Sequence, residues 1–277
     1  MSTPHISPTA HYTGAVWYAH GLSYEELRTS QGEFYLHALR LLNPLLEWNY
    51  GVSLENMLLQ RHLLLNYLLE RAIQEKQIAQ VVEVASGFSP RGLRFAERFD
   101  HIVYIDSDLS GIIELKKDKL KNRRKPPNYV MEEVDVLLDI GNDSLFGQIW
   151  NKLDREKPTA VLSEGLISYF NRKTAITLLR RIARFLENFP LGIYLTDVHP
   201  QDLNENTLLG PIFRELLGLF VQQKLVLPFY SQADLVGNLL SGGFADIKVY
   251  HPHECTYVPA MPYSDNSPVI VVECLIF

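Results

Sequence analysis

From Gln80 onward the chain keeps a rhythm that few folds accommodate. VVEVA (81 to 85), HIVYID (101 to 106), YVMEEVD (129 to 135), TAVLSE (159 to 164) and GIYLTD (192 to 197) are short runs rich in β-branched residues. Each ends in a small or acidic residue, and between them lie segments long enough for one helix each, such as TAITLLRRIARFLEN at 174 to 188. Near-continuous apolar strands alternating with helices predict a parallel sheet covered on both faces. The connections are expected to be right-handed crossovers. The tail breaks the rhythm: ADIKVY (245 to 250) and PVIVVECLIF (268 to 277) are strands with no helical pattern between them. They predict an antiparallel pair at one sheet edge.

Upstream of the first strand the pattern is helical. Leu36, Leu39, Leu42 and Leu46 recur at helical spacing, as do Leu58, Leu65 and Leu69. Asn43-Pro44 and Asn49-Tyr50-Gly51 are expected to separate helices. The expectation is one domain over 1–277, with 1–78 as a helical cap and 79–277 as a Rossmann-like core. A chain of 277 residues buries enough surface to need no disulfide or structural metal. Its two cysteines, Cys255 and Cys274, sit in no ligand spacing, which favours a reducing, cytoplasmic setting. The opening MSTPHISPTAHYTG has neither a basic n-region nor an apolar h-region, and no apolar run reaches the length of a spanning helix. With a formal charge of -6, neither nucleic acid nor an anionic membrane is an expected partner. The basic run KKDKLKNRRK at 116 to 125 reads as a solvated helix end before Pro126-Pro127.

Open α/β sheets bind ligands at the carboxyl ends of their strands, where strand order reverses. After the first strand comes Glu83-Val84-Ala85-Ser86-Gly87, running through Ser89-Pro90-Arg91-Gly92 into LRFAERF. Small residues let a ligand approach the backbone, and Gly87 accepts positive φ. The GxGxxG fingerprint that serves a pyrophosphate is absent. Asp106 ends the second strand 19 residues after Gly87, where a carboxylate can accept from ribose hydroxyls, and Asp108 reads as a helix cap. Asp135, ending the third strand, stands where an adenine amino group would be read, or else caps a turn. Spacing alone leaves NAD open for the Gly87 and Asp106 pair. The missing glycines and the reversed last strand favour S-adenosylmethionine, which carries no phosphate, and a class I methyltransferase fold.

LLQRHLLLNYLLERAI, VVEVASGFSPRGLRFAERF, YIDSDL, VDVL and PTAVLSEGLISYF, in that order, resemble the leucine carboxyl methyltransferase-like superfamily. The SPTAHYTGAVWY opening and GLSYEEL are similar to its bacterial polyketide O-methyltransferase branch, of the tetracenomycin carboxyl methyltransferase type. The resemblance implies that Arg61 pairs with the cofactor's methionine carboxylate, a task suited to a planar guanidinium. It assigns the turn to Ala85, Ser86 and Gly87 beside Glu83, the ribose carboxylate to Asp106 with Ser107, and the adenine reader to Asp135 with Val136. Glu164, Gly165, Leu166, Tyr169 and Phe170 are implied beside the methionine and the transferring methyl. Two positions depart from the family: Asn66 stands where an aspartate commonly follows the arginine by five, and Asp106 where many relatives carry Glu.

The implied reaction is direct displacement of the sulfonium methyl by an oxygen of a small-molecule acceptor. A carboxylate acceptor needs no base. A hydroxyl would need one, with His199 and Asp197 as candidates and Tyr169 nearby, although Asp-Val-His-Pro also reads as plain turn chemistry. His11, Tyr12, Trp17 and Tyr18 could line an acceptor pocket together with Tyr169 and His199, or simply pack over the core. His251-Pro252-His253-Glu254 reads as a surface loop rather than a metal site. Two further readings stay open, an NAD-dependent oxidoreductase and a binding module that keeps the fold without catalysis. The acceptor and the oligomeric state are not legible.

Overall fold

A computed structural model of the chain describes residues 8–41, 43–138, 147–205, 226–264 and 267–277. Four helices precede the sheet: α1 (Pro8–Ala19), α2 (Ser30–Arg40), α3 (Asn43–Tyr50) and α4 (Leu54–Lys76). The Asn43-Pro44 pair opens α3 instead of lying between helices, because proline is tolerated in a first turn. Leu36 and Leu39 are buried, as are Leu58, Leu65 and Leu69 of α4; Leu42 lies outside the described residues. Ser53 caps α4 by accepting from the Asn56 amide at 3.1 Å, and Gln77 ends it in a left-handed conformation at φ 56°.

The sheet has seven strands: β1 (Gln80–Val84), β2 (Val103–Asp108), β3 (Tyr129–Glu133), β4 (Thr159–Ser163), β5 (Gly192–Val198), β6 (Asp246–Tyr250) and β7 (Ile270–Ile276). Their order is β3-β2-β1-β4-β5-β7-β6. β1 to β5 are parallel, and β7 runs antiparallel between β5 and β6. The alternating rhythm and the reversed tail therefore become one mostly parallel sheet whose order reverses between β1 and β4. This is the class I methyltransferase fold.

Side chains alternate across each strand, so Val81 faces one core and Val82 the other. The first core packs α4, α5 (Arg91–Arg98) and α6 (Ser110–Lys119) on the sheet. The second packs α8 (Arg172–Leu186) and α10 (Gln232–Gly242) on the opposite face. Short helices α7 (Gly147–Trp150) and α9 (Gln201–Glu205) lie in the connections. A third cluster joins α1, α2 and the start of α4, including Tyr12, Val16, Leu36 and Leu58. The basic run is not wholly solvated, since Lys116 is fully buried against Asp106. Among the described residues no helix is long and apolar enough to cross a membrane.

Candidate functional site

A cavity of about 400 Å³ opens at the carboxyl ends of β1, β2 and β4, beside the reversal of strand order. The turn after β1 forms its floor, with Ala85 at φ 54° and Gly87 at φ 52°. Two left-handed residues in three fold the chain back tightly. The Gly87 amide donates to Asp108 Oδ2 at 2.7 Å, and the Leu109 amide donates to Oδ1 at 2.7 Å. Burial pushes the Asp108 carboxyl above its ordinary value. Ala85, Ser86, Gly87, Asp108, Leu109, Ile112, Asp135 and Val136 all line the cavity. Asp135 also accepts from the Leu137 amide at 2.9 Å, so it is at once a turn cap and a wall residue.

Asp106 is elsewhere. It is fully buried beneath the cavity, where Lys116 Nζ donates to it at 2.6 Å and the Tyr129 hydroxyl also donates. It packs so closely on Gly92 that no side chain would fit there. The expected placement of Asp106 at the ligand is corrected by strand length. β2 runs on to Asp108, two residues further along the same face and about 6.6 Å nearer the cavity. Ser107 is buried between the strands, its hydroxyl donating to the Glu83 carbonyl at 2.9 Å, and does not line the cavity.

The other end of the cavity is charged. Arg61 projects from α4 and is held by two carboxylates: Nε donates to Glu164 at 3.1 Å and Nη1 to Asp197 at 3.2 Å. Nη2 has no hydrogen-bond partner among the described residues and lies where a Cβ at Gly165 would stand 2.9 Å away. Gly165, at φ 68°, thus makes room for the guanidinium, and its amide donates to Asp197 at 2.6 Å. Glu164 also accepts from Arg91 at 2.5 Å and lies 2.9 Å from His62 Nδ1. Despite burial, these neighbours hold its carboxyl far below the carboxylate range. Glu83 accepts from Arg91 at 2.5 Å and from the Tyr104 hydroxyl at 2.6 Å. Arg61, Glu83, Glu164 and Gly165 all border the cavity.

One face of α1 roofs it, through Thr9, Ala10, Thr13 and Trp17. Thr9 and the Tyr169 hydroxyl, 2.9 Å apart, join this roof to the turn after β4. Trp17 packs on His62 with ring centroids 4.6 Å apart. Of the residues expected to form an acceptor pocket, Trp17 and Tyr169 line the cavity, and His11, Tyr12 and His199 do not. His11 stands 3.0 Å from the Thr29 hydroxyl and packs on Phe88, and Tyr12 belongs to the apolar cluster of the helices. Both point away because α1 buries one face inward and roofs the cavity with another. Asp197 is also behind the wall, bonded to Arg61 and Gly165, and His199 lies 3.7 Å from it. Burial pushes His199 down to about 4. The His251 to Glu254 segment forms a tight turn after β6, with His251 on Gln232 at 2.9 Å.

Sequence reasoning missed Asp108 as a wall residue and gave no role to Arg91. A signal for the second was present. Arg91 opens α5, a helix with no acidic residue in its first turn. A cation there opposes the helix dipole, so buried carboxylates must offset it.

A seven-stranded sheet of this order, with its cavity at the strand ends, defines the class. The leucine carboxyl methyltransferase family model matches residues 25–183, and the chain belongs to that family. No curated protein matches it in sequence. Among solved structures it is similar to a candidate methyltransferase of Thermobifida fusca, at 11% identity and TM-score 0.63 over 97% of this chain and 94% of that one. It also resembles the magnesium protoporphyrin IX methyltransferase of Synechocystis with bound SAH, at 11% identity and TM-score 0.51 over 88% of this chain and all of that one. A candidate O-methyltransferase of Nostoc punctiforme matches at 14% identity and TM-score 0.53 over 80% of this chain. The chain spans 60% of the Nostoc protein's length.

Proposed function

We propose that the chain is an S-adenosylmethionine-dependent O-methyltransferase acting on a carboxylate of a small molecule. The observation that carries this reading is one cavity bordered by a guanidinium, a two-residue left-handed turn and a strand-end carboxylate. The donor set fits the cofactor. The free edge of Arg61 suits a carboxylate, Asp108 keeps lone pairs for ribose hydroxyls, and Asp135 can accept from an adenine amino group. The Ser86 hydroxyl, buried and without a partner among the described residues, is one more group that a ligand would satisfy. The SAH bound by the Synechocystis protein agrees in kind.

When bound, S-adenosylmethionine supplies an electrophilic sulfonium methyl. The chain's part is to bind, orient and exclude water. The roof of α1 closes the cavity from above, so the helices before β1 act as a cap. Of the cavity-lining carboxylates among the described residues, Asp108 and Asp135 stand at the ribose and adenine positions of this reading, which leaves none assigned to take a proton from the acceptor. Glu83 and Glu164 are occupied by arginines, and Tyr169 is raised by burial and bonded to Thr9. His199 is outside the lining and depressed. An acceptor that arrives ionised requires no base, which favours a carboxylate over a hydroxyl. The likeness to the polyketide branch favours a flat, apolar acid, and the apolar wall of Trp17, Leu166, Tyr169 and Phe170 suits one. Two buried free thiols, Cys255 and Cys274, are at ease in a reducing compartment.

Titration calorimetry is expected to register S-adenosylmethionine and not NAD. Turnover with an aromatic acid should release S-adenosylhomocysteine and an ester that mild alkali hydrolyses. Binding of NAD instead overturns the cofactor. An alkali-stable product overturns the carboxylate, and binding without turnover on any acid identifies a non-catalytic module.

A further inference from the structure

Arg91 is among the largest wholly buried side chains, and it uses every edge of its guanidinium. Nε donates to Asn66 Oδ1 at 2.5 Å, Nη1 to Glu83 at 2.5 Å, and Nη2 to Glu164 at 2.5 Å, with His62 Nδ1 2.9 Å from Nη2. Arg91 does not line the cavity, whereas both carboxylates it holds do. The pairs continue from Glu164 to Arg61 and from Arg61 to Asp197. The cluster thus holds two guanidinium groups and three carboxylates, with the His62 imidazole pushed down by burial beside them.

We infer that Arg91 is a positioning residue for the cofactor's amino-acid end, acting through Glu83 and Glu164 to fix the charge and aim of Arg61. This rests on the cofactor reading above. Glu164 has only two oxygens, one on Arg61 and the other shared by Arg91 and His62. Without Arg91, Glu83 loses the only cation it has among the described residues and Glu164 loses one of two. Two carboxylates then face each other in a dry interior, and one takes up a proton as pH falls. The groups that bear directly on Glu164 are Arg61 and His62 from α4 and Arg91 from α5; Glu83 of β1 and Tyr104 of β2 bear on Arg91, while Asp197 of β5, His199 just after it and Tyr169 from the turn after β4 bear on Arg61. The proton belongs to the coupled pair and not to one residue; it weakens the grip of Glu164 on Arg61, whose aim is then left chiefly to Asp197.

Two readouts on the full chain separate this role from plain packing. The first uses ligand-free protein. Arg91→Met should melt well below wild type at pH 8, with the gap narrowing as pH falls to 5.5. The sign follows because a carboxyl whose folded pKa is raised stabilises the fold on protonation. A gap independent of pH overturns the inference, whether or not the cofactor reading holds. The second is calorimetry with S-adenosylmethionine. Wild-type affinity should be flat between pH 8 and 6, while Arg91→Met binds about ten-fold more weakly at pH 8 and loses more as pH falls. Affinity and stability then move in opposite directions. Should Arg91→Met fail to fold, Arg91→Lys decides: it keeps the charge but not the planar fork. It should bind several-fold more weakly with a flat profile, and wild-type affinity in that variant overturns the inference. Wild-type protein that binds no S-adenosylmethionine sinks the cofactor reading and leaves the ligand-free melting test to judge Arg91.

Discussion

The two halves of α4 carry the same chemistry to different ends. In its first half, Arg61 reaches Glu164 and Asp197 and leaves one edge facing a cavity. In its second half, Arg71 and Lys76 each donate at 2.7 Å to Glu273 of β7, which is fully buried and also accepts from the Tyr250 hydroxyl at 2.8 Å. Both are buried carboxylates neutralised by cations from one helix. In the second the carboxylate is spent on three donors beside a broad surface groove that Arg71 helps to line, away from the strand ends. Burial and charge pairing therefore do not mark a functional site by themselves; a paired charge that also borders a cavity at the carboxyl ends of the strands does.

The largest effect that could break this comparison is at the cavity end. Arg61→Ala leaves Glu164 with a weaker set of donors and Asp197 with none that is charged, both in the interior. The expected loss is about 3–5 kcal/mol in stability, together with at least about ten-fold in S-adenosylmethionine affinity. Denaturant unfolding and calorimetry read the two separately, and unchanged affinity in folded protein would remove Arg61 from the site.

Acid should find the cavity end first. His199 titrates near 6.5 when unfolded and about 4 when folded, so the unfolded chain binds more protons between those values. Stability is thus present above pH 6.5 and falls as pH drops toward 4, by up to about 3 kcal/mol from this group. His62, also pushed down by burial, acts in the same direction. Glu273 is a lowered carboxylate, and its contribution is lost only as pH falls below the ordinary carboxylate range. The slope above pH 4.5 should flatten in His199→Asn and persist in Glu273→Gln; the reverse pattern would invert the comparison. Glu273→Gln itself is expected to cost about 1–3 kcal/mol, discounted because Arg71 and Lys76 are about a quarter exposed and can turn to water. Its cofactor affinity should match wild type.

How much of this was legible depended on the range of the interactions. Strand rhythm is local, and all seven strands lie within about two residues of their expected spans, including the reversed tail. Arg61 and the Ala85 to Gly87 turn were legible through likeness to a family pattern. Asp108 was missed because the end of β2 is fixed by pairing with β1 and β3, and a two-residue error moves a carboxylate out of the cavity. Arg91 was unread because its partners lie 8 to 73 residues away in sequence, on α4, on β1 and in the turn after β4. The aromatic N-terminal segment, including His11 and Tyr12, was expected ahead of the helices; it forms α1, and nothing local told which of its faces would meet the cavity.

The smallest expected effect repeats the comparison of α4 within a single strand. Asp106 and Asp108 lie two residues apart on one face of β2, one closed by Lys116 and Tyr129, the other bordering the cavity. Asp108→Asn keeps one acceptor for the turn amides and loses the charge, so affinity should fall up to about ten-fold with little change in melting temperature. The small stability change follows from the desolvated state of this carboxyl, whose folded pKa is already raised by burial. Asp106→Asn should leave affinity within about two-fold of wild type, since its missing charge falls on buried Lys116 and appears as lost stability. If Asp106→Asn instead weakened the cofactor more than Asp108→Asn among folded variants, the ribose assignment would move back to Asp106. The rule drawn from α4 would then fail inside the site it was meant to explain.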